Sequence, residues 1–528
     1  MADFILEIFS EEIPALMQKN AAENFTKIAK ETFEKNNFLL QNQQITSFVT
    51  PNRLTLYLFN IELVYKTLAT KKIGPRVSSD KKAIEGFLKS IGLEDDSTLE
   101  KVENNGHLCY LHQIPAKEVK TADIIKNILP QILQKMTNSW PKLMRWDVDL
   151  QTQPKWIRPV RNLCAMIGSE IIDVEFFGLK SNNLTFAHDG KALEINNAQH
   201  YREILEDNFV IVDQEIRKSK IAAQINKIKH DLDLQTVDDE KSNLFDEING
   251  LCQFPTALVG EIDKKFMDLP QEVLILTLKL NQKYICLKDN LGNLSEKFIF
   301  ITNSVKALEN QEKIIADNEK LVRARLSDAQ FFINEDLKKP LSERLYDLRS
   351  VIFHQKLGSV YDKVNRLNSL SKFLSIFVPH CDLSIAEKAV FLCKNDLTSK
   401  MVAELPELQG RVGGFYVEKQ LHNKKISEAI SEHYLPLGPS SELPKTALGI
   451  MLSITDKIDS IVGFFLAGEK PTSSKDPYAL RRAVLGIIRI SFQYNIAFPI
   501  RVLIEKSLNA YPNKLLKELL FIRKRNLV

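Results

Sequence analysis

Three side chains in the second half of the chain have the types and order that could bind a metal. Metal-dependent phosphohydrolases of the HD type need a histidine, then a His-Asp pair, then a distant aspartate, which converge inside a helical bundle. His354 could supply the first ligand, Asp396 the middle one and Asp456 the last. Where the paired histidine is required the chain has Lys394, whose ammonium has three donors and no lone pair and therefore repels a cation. We expect a degenerate HD-like site without a metal, in which a lysine facing Asp456 or Asp396 forms a structural ion pair.

A helix is predicted within the string SSKDPYALRRAVLGIIRI, residues 473–490. Asp476 can cap its first turn. Pro477 fits its first position, because the backbone N–H that proline lacks would have no partner within the helix there. At 100° per residue, one face is apolar and carries Leu480, Val484, Ile487 and Ile488. Arg482 and Arg489 fall on the opposite face, and Arg481 lies at the border of the apolar one.

The basic residues of this helix allow two roles. A helix start carries partial positive charge and free backbone donors, which favours anions. If this region faces a phosphate-bearing partner, the candidates for phosphate contacts are Lys475, Arg481, Arg482 and Arg489. Arg481 could instead pair with an acid on the preceding helix, such as Asp456 or Asp459. We expect a phosphate contact from Arg482 and a buried ion pair from Arg481.

Composition is that of an ordinary globular protein. The 528 residues, 44% hydrophobic and 26% charged, are enough for roughly two to four domains. A formal net charge of +4 is too small for a polycationic field, so any basic surface must be local. The six cysteines lack a CxxC pair, which fits a reducing cytosol and offers no zinc-site spacing. Acids in the N-terminal string MADFILEIFSEEIPA argue against a signal peptide, and charges interrupt the most apolar stretch, so we expect a cytoplasmic protein without a membrane span.

Motifs for other chemistries are missing from the sequence. It contains no GxxxxGK[ST] and no GxGxxG, and the string GRVGGF at 410–415 has the wrong spacing for a phosphate loop. A GxSxG nucleophile elbow is also absent. The residues therefore indicate a multidomain protein with no complete active site of its own, and no cofactor is expected on this chain.

The pattern of elements changes along the chain. DFILEIF and RLTLYLFNIEL are typical of strands, and LMQKNAAENFTKIAKETFEKN, between them, of a helix. From about residue 331 the periodicity is helical almost throughout. We predict an α+β region of two or more subdomains at 1–330, an all-α region at 331–499, and the start or remnant of another helical domain at 500–528.

Two predicted helices carry the candidate metal ligands. AEKAVFLCKNDLTSKMVAEL is predicted as one helix, with Lys394 and Asp396 on the two sides of an apolar stripe. That stripe consists of Ala386, Val390, Cys393, Leu397 and Met401. TALGIMLSITDKIDSIVGFFLAG is predicted as a more buried helix, with one narrow polar stripe that contains Asp456 and Asp459.

Several strings together resemble one family, the β subunit of bacterial heterotetrameric glycyl-tRNA synthetase. LEIFSEEIPA, FVTPNRLTLYL, WPKLMRWDVD and WIRPVRNLCAMIG are similar to blocks of its first half. DEINGLCQFPTALVGEID, NEKLVRARLSDAQFF, HQKLGSVYDK, KNDLTSKMVAELPELQGRVGGFY, ISEHYLP and KDPYALRRAVLGIIRI continue the resemblance. It covers nearly the whole chain, and no single block is needed to carry it.

The resemblance implies a partner subunit and a nucleic acid. In this family the smaller α subunit holds the class II site for ATP, used with Mg²⁺, and for glycine, and an α2β2 assembly is expected. The β subunit is required for the engagement of tRNA(Gly), and its helical region is a degenerate HD-like domain. Glycine has no side chain to discriminate by, so recognition must depend heavily on the tRNA.

Asn52 stands where a second arginine is usual in the TPRRL block. Three further departures from the family pattern occur. Ser474 stands where a glycine is common, which is a minor change. Asp189, in TFAHDG, reverses the charge of an arginine, which puts any RNA contact there in doubt. Family chains usually continue into a helical anticodon-binding domain, of which this sequence contains little after residue 500.

The function implied is that of the β subunit of a glycine–tRNA ligase, which contributes binding and positioning of the tRNA. Two alternatives from other classes remain open. One is an HD-type phosphohydrolase, which needs a metal between His354, Asp396 and Asp456. The other is a non-catalytic RNA-binding or assembly factor.

Overall fold

The computed structural model describes residues 1–38, 44–66, 70–93, 95–97, 99–104, 106–114, 117–145, 155–238, 243–307, 309–473, 475–512 and 516. The chain forms two compact units: residues 1–259 with 299–314, and residues 260–298 with 315–528. The units interleave along the sequence, because residues 260–298 belong to the unit that contains the helical region. The three-part division predicted at residues 330 and 499 stays a prediction, and most of its last part, after residue 512, lies outside the described residues.

The strands alternate with helices in the first part of the chain, up to residue 302, and two further short strands lie among the later helices. The strands are β1 Ala2–Ser10, β2 Ile45–Thr50, β3 Arg53–Ile61, β4 Val64–Lys66, β5 Thr70–Arg76, β6 Glu100–Asn104, β7 His107–Ile114, β8 Glu118–Lys120, β9 Met144–Arg145, β10 Lys155–Trp156, β11 Val160–Ile167, β12 Glu170–Ile171, β13 Glu175–Phe176, β14 Leu179–Lys180, β15 Leu184–Phe186, β16 Ala192–Glu194, β17 Gln235–Thr236, β18 Thr256–Glu261, β19 Ile285–Lys288, β20 Leu294–Thr302, β21 Ile352–His354 and β22 Gly358–Ser359. The helices of this part are α1 Ala15–Lys35, α2 Lys81–Ile91, α3 Thr121–Ser139, α4 Tyr201–Asp207, α5 Gln214–Leu232, α6 Asn243–Leu251 and α7 Gln271–Gln282.

Helices dominate the second half. They are α8 Gln311–Leu337, α9 Val360–Leu374, α10 Leu383–Leu392, α11 Lys400–Glu404, α12 Arg411–Leu421, α13 Lys424–Glu432, α14 Ala447–Ala467, α15 Leu480–Tyr494 and α16 Ile500–Asn509. The predicted α+β region followed by a helical region is confirmed. Among the described residues, no helix combines the length and the apolar content needed to cross a bilayer.

A five-stranded sheet forms the core of the first unit, with strand order β12-β11-β1-β3-β2. β1 pairs antiparallel with both β11 and β3. One face packs on a large apolar cluster that includes Phe25 of α1 and Ile132 of α3. The other face carries Ile5 and packs on Tyr201 of α4. Because both faces are covered, β1 is almost continuously apolar, which explains why its sequence does not alternate.

Two of the family-like strings meet in the centre of this sheet. Glu7, from LEIFSEEIPA, and Arg53, from TPNRL, are fully buried, and Arg53 Nε lies 3.3 Å from Glu7 Oε2. The Tyr201 hydroxyl donates to Glu7 Oε2 at 2.6 Å, and the Thr185 hydroxyl donates to Oε1 at 2.8 Å. A buried carboxylate needs such partners, so these residues hold the sheet together. Asp189, which stands where the family pattern has an arginine, lies outside this buried cluster. It is exposed and accepts a hydrogen bond from the Lys191 backbone nitrogen at 3.0 Å.

The predicted single helix over residues 386–405 is wrong. α10 ends at Leu392, a 3-10 turn follows at Asn395–Thr398, and α11 begins at Lys400. Ser399 caps the new helix, since its Oγ accepts from the Val402 nitrogen at 3.2 Å. The break turns Lys394 and Asp396 inward, where they are 3% and 0% exposed.

The buried helix predicted around Asp456 is confirmed as α14. Thr446 caps it through a hydrogen bond from the Gly449 nitrogen, and Gly468 ends it in the left-handed region with φ of 89°. Most of its side chains are buried, including Lys457 and Asp459. A helix buried on nearly every side must pair the charges that it carries.

Candidate functional site

A cluster of buried charges lies where α9, α14 and the turn after α10 meet. The side chains of Lys363 and Lys394 are 4% and 3% exposed, and that of Asp456 is 13% exposed. Asp456 Oδ1 lies 3.2 Å from Lys363 Nζ and 3.0 Å from Lys394 Nζ. The expected ion pair between a lysine and Asp456 is therefore confirmed, and a second lysine joins it.

A second aspartate continues the cluster. Asp459 Oδ2 lies 3.2 Å from Lys363 Nζ, so Lys363 bridges the two acids of α14. Arg366 donates from Nε to Asp459 Oδ1 at 2.8 Å and from Nη2 to Oδ2 at 3.2 Å. Lys363 and Arg366 are three positions apart on α9 and therefore share one face of that helix. The charges alternate in the order Lys394, Asp456, Lys363, Asp459, Arg366.

The carboxylate of Asp456 is the centre of this arrangement. Desolvation favours its neutral form, but Lys363 and Lys394 outweigh that effect and hold the pKa of Asp456 far below its ordinary value. The side chain is consequently ionised whenever the protein is folded at neutral pH. Two ammonium groups thus occupy the surroundings in which a metal-binding aspartate would face a cation.

His433 is a partner of Lys394 that the sequence reasoning missed. It is fully buried, and its Nε2 lies 2.9 Å from Lys394 Nζ. Its Nδ1 lies 2.6 Å from the Ile430 carbonyl oxygen, which accepts the ring proton and leaves Nε2 as an acceptor for the ammonium. Desolvation and the charge of Lys394 lower the pKa of His433 well below its ordinary value. The imidazole is therefore neutral, and the ring of Tyr434, 3.7 Å from Lys394 Nζ, completes the enclosure of the ammonium.

Asp396 has a separate set of partners. Its Oδ2 accepts hydrogen bonds from the backbone nitrogens of Gly410 at 2.5 Å and Gly413 at 3.2 Å. Desolvation raises its pKa to about 6, although these hydrogen bonds and the charge of Lys394 oppose the rise. Asp396 therefore ties the turn after α10 to the start of α12.

His354 does not join the cluster in this structure. Its Nδ1 accepts from the Lys356 nitrogen at 3.2 Å, and its Nε2 lies 3.8 Å from Glu469 Oε1. Its ring packs edge-on against Phe464 and Tyr478. Of the four degenerate HD-like positions, the structure brings Lys394 and Asp456 into contact. Within the described ranges, no group of three or more His, Cys, Asp and Glu side chains could hold a metal ion.

The sequence carried a signal for Lys363 and Arg366, two buried cations of the cluster that were not predicted. Val360, Val364 and Leu367 form the buried stripe of α9, and Lys363 and Arg366 interrupt it at helical spacing. A cation within an apolar stripe is buried only if a carboxylate reaches it. The two aspartates on the polar stripe of α14 are those carboxylates. The cations in the apolar stripe of α9 and the acids of α14 could therefore have been predicted to pair.

The helix with the two adjacent arginines begins later than predicted. α15 starts at Leu480, so Pro477 is not its first residue. Asp476 still caps it: Oδ1 accepts from the Leu480 nitrogen and Oδ2 from the Arg481 nitrogen, each at 2.9 Å. Although desolvation opposes it, these hydrogen bonds and the two neighbouring guanidinium groups lower the pKa of Asp476. The expectation of free backbone donors at this helix start is wrong, because a carboxylate already occupies two of them.

The predicted buried ion pair of Arg481 is also wrong. Its side chain is exposed and its Nη2 donates to the Thr472 carbonyl oxygen at 2.6 Å, while Asp456 and Asp459 are taken by α9 and Lys394. Arg489 is half-buried, and its two Nη atoms donate at 2.8 Å to the carbonyl oxygens of residues 438 and 441. Arg489 thus holds a loop, whereas the side chains of Arg482 and Lys475 are exposed.

Comparison with known proteins extends the description to the whole chain. The profile of a family described as glycyl-tRNA synthetase beta subunit matches residues 4–527. A glycine–tRNA ligase beta subunit of Rickettsia felis is 37% identical over 527 residues, which cover 98% of this chain and 76% of the relative. One from Rickettsia bellii is 39% identical over 529 positions, with 98% and 77% covered. One from Rickettsia conorii is 38% identical over 518 residues, with 97% and 74% covered. These matches span both the α+β and the helical regions, and the chain belongs to the glycyl-tRNA synthetase beta subunit family.

Proposed function

We propose that this chain binds and positions tRNA(Gly) for the ATP-dependent attachment of glycine, as the β subunit of a cytoplasmic glycine–tRNA ligase. The match of the family profile to residues 4–527 carries the proposal. The site for ATP, Mg²⁺ and glycine lies, in this proposal, on a separate α subunit in an α2β2 enzyme.

The helical region, in this proposal, is a degenerate HD-like scaffold. Lys394 stands where a metal-binding histidine is required, and its ammonium contacts Asp456 at 3.0 Å. This ammonium neutralises the buried carboxylate, as a bound metal ion would, but it supplies no metal chemistry. The scaffold then holds α14 and α15 in place for RNA binding.

The exposed cations of the segment before α15 and of its first turn are the proposed phosphate contacts. Lys475, Arg481 and Arg482 are exposed, and each can reach a phosphate without breaking a buried contact. Because Asp476 caps the first turn, the attraction for phosphate comes from these side chains rather than from the helix start. Arg489 supports them indirectly by fixing the loop at 438–441.

Reconstitution tests the proposed function. The chain is assayed alone and with the α subunit encoded by the same organism, first for glycine-dependent exchange of pyrophosphate into ATP and then for charging of tRNA(Gly). We expect charging only in the mixture, and no exchange by this chain alone. Exchange by this chain alone at the rate of the mixture would contradict the placement of the ATP site. A mixture that exchanges pyrophosphate but never charges tRNA would favour an assembly factor.

Metal analysis tests the HD-type phosphohydrolase. We expect less than about one metal ion per ten chains after purification without chelators, because Lys394 lacks the lone pair that a ligand needs. A stoichiometric transition metal that is lost in Asp456→Ala would establish the phosphohydrolase-type site instead.

A further inference from the structure

Two tyrosines and an arginine form a surface patch in the second unit, outside the buried charge cluster. Tyr346 and Arg349 belong to the 3-10 helix Leu341–Arg349, and Tyr361 is the second residue of α9. The ring centroids of the two tyrosines are 6.1 Å apart, with an angle of 28° between the ring planes. The guanidinium carbon of Arg349 lies 5.1 Å from the centroid of Tyr346 and 4.6 Å from that of Tyr361. We call these three side chains the tyrosine–arginine patch.

The backbone holds the three side chains of this patch together. A 3-10 helix has three residues per turn, so Tyr346 and Arg349 lie above one another on one side of it. The hairpin of β21 and β22 then brings the start of α9 back to the end of the 3-10 helix, where the Val360 nitrogen donates to the Val351 carbonyl oxygen at 2.8 Å. The patch is therefore preformed, which lowers the cost of ordering it when a ligand binds.

The patch is exposed, and its positive charge is not neutralised. Tyr346 is 60% exposed and Arg349 is exposed as well. Among the described residues, no carboxylate forms an ion pair with Arg349. Two acids that are close in sequence have other partners: Asp347 Oδ2 lies 2.5 Å from Lys339 Nζ, and Asp362 Oδ2 accepts from the backbone nitrogen of the α9 cap at 2.8 Å. The guanidinium is therefore available for an anion that comes from outside the chain.

Another exposed aromatic side chain of the same unit lacks this combination. Phe331 on α8 is 55% exposed, and Lys400 Nζ lies 5.6 Å from its ring centroid. Lys400 Nζ, however, lies 3.5 Å from Glu335 Oε2, so this cation is already paired. An open aromatic ring beside an unpaired cation distinguishes the tyrosine–arginine patch from Phe331.

An open aromatic ring beside an unpaired guanidinium suits one chemical combination in particular, a flat base joined to a phosphate. The bases of single-stranded RNA stack on aromatic side chains and on guanidinium planes. The same guanidinium binds phosphate oxygens through charge-assisted hydrogen bonds. In duplex RNA the bases are already stacked on one another, so the ligand that fits the patch is an unpaired nucleotide of an RNA strand.

The patch is connected to the start of α15 through β21. This strand follows the 3-10 helix and ends at His354, whose ring centroid is 6.0 Å from that of Tyr478. Tyr478 precedes α15, and the first turn of α15 carries Arg481 and Arg482, two of the proposed phosphate contacts. An RNA strand that binds these two arginines therefore has the tyrosine–arginine patch within a few nucleotides of its path.

We propose that Tyr346, Arg349 and Tyr361 form a platform for an unpaired base of the bound tRNA. The base stacks on the exposed ring of Tyr346, and Arg349 contacts the adjacent phosphate. Tyr361 holds the guanidinium in place through the cation–π contact. This inference rests on the proposed tRNA-binding function, and it adds a base contact to the phosphate contacts at α15.

Filter binding of tRNA(Gly) to the full chain together with the α subunit tests the platform. Tyr346→Leu removes the aromatic ring. Tyr346→Phe keeps the ring and removes a hydroxyl that has no hydrogen-bond partner among the described residues. We expect Tyr346→Leu to weaken binding about fivefold or more at an unchanged salt slope, because stacking releases no counterions. Tyr346→Phe, and the matched control Phe331→Leu, should bind within about twofold of the wild type.

A further variant tests the cation of the patch. Arg349→Gln should weaken binding a few-fold and lower the salt slope by about one, because it removes one phosphate contact. Melting curves verify that each variant is folded; if Tyr346→Leu is not, the affinity and slope of Arg349→Gln decide. The platform would be overturned by wild-type affinity in Tyr346→Leu, by an equal loss in Tyr346→Phe or Phe331→Leu, or by an unchanged affinity and slope in Arg349→Gln.

These measurements separate a failure of the platform from a failure of the proposed function. If the wild type binds tRNA(Gly) and Tyr346→Leu binds it equally well, the platform is wrong and the proposed tRNA binding stands. If the wild type binds no tRNA, the proposed function fails and the platform fails with it. If Tyr346→Leu no longer co-purifies with the α subunit but keeps its affinity for tRNA, the patch is a protein interface and the platform is overturned.

Discussion

Replacing Asp456 by asparagine is expected to destabilise the helical region strongly. The substitution keeps the shape of the side chain and removes the charge that lies 3.0 Å from Lys394 Nζ and 3.2 Å from Lys363 Nζ. Lys363 retains Asp459, but Lys394 is left with the neutral His433 and the ring of Tyr434. A buried charge that loses its partner costs about 3–5 kcal/mol.

The size of this loss can be measured by denaturation. For a unit of a few hundred residues, each kcal/mol lowers the melting temperature by about 2–4 °C, so a fall of about 6–20 °C is expected for Asp456→Asn. Circular dichroism at pH 7, with heat and with urea, reports it. The matched control is Glu505→Gln, which breaks the exposed pair of Arg501 and Glu505 and should cost less than about 0.5 kcal/mol.

A second variant separates charge from packing. In Lys394→Met/Asp456→Leu both members of the pair are replaced by apolar side chains of similar size. If the cost of Asp456→Asn arises from an unpaired ammonium, the double variant should recover most of the lost stability. A melting temperature of Asp456→Asn within about 2 °C of the wild type would refute the reasoning, because it would mean that the cluster does not depend on its central carboxylate.

Three further predictions concern the same unit. His433 is buried and neutral with a lowered pKa, so its contribution to stability is present above its unfolded pKa of about 6.5 and lost as the pH falls below it. By pH 5 the wild type should have lost about 2 kcal/mol more than His433→Gln, as measured by urea denaturation across pH, and parallel pH profiles would contradict this. Arg482→Ala should weaken tRNA binding a few-fold, lower the salt slope by about one and leave the melting temperature unchanged, whereas Arg489→Ala should lower the melting temperature because two carbonyl oxygens lose their donor. Filter binding at several salt concentrations and melting curves check both, and an unchanged affinity and slope in Arg482→Ala would remove α15 from the RNA-binding surface. Gly413→Ala places a Cβ 2.9 Å from Asp396 Oδ2 and should cost about 1–3 kcal/mol, whereas Gly438→Ala, where a Cβ meets nothing within 4 Å, is the control for the general effect of the substitution. Equal melting temperatures of the two glycine variants would contradict the close approach to Asp396.

Much of the secondary structure could be predicted because it depends on local pattern. The strands β1 and β3 and the long helices α1 and α14 follow from apolar spacing, and Thr446, which caps α14, lies directly before it in the sequence. The failures occurred where a distant residue overrides that pattern. Residues 386–405 have helical periodicity, but Ser399 caps a new helix and Asp396 bonds to the nitrogens of Gly410 and Gly413, so the helix breaks.

The sequence by itself determined that residue 394 cannot be a metal ligand, because the ammonium of Lys394 has no lone pair, whatever surrounds it. It also determined the family, through blocks distributed over nearly the whole chain. Only the tertiary structure decided which charges meet: Lys363 reaches Asp456 across 93 positions of sequence, and His433 reaches Lys394 across 39. Helical periodicity specifies which side chains share a face, but the partner of that face is chosen by packing and by the cost of leaving a buried charge unpaired. Arg481, which helical spacing placed at the border of the apolar face, lies in solvent. The two acids that could have paired with it already pair with the cations of α9 and with Lys394.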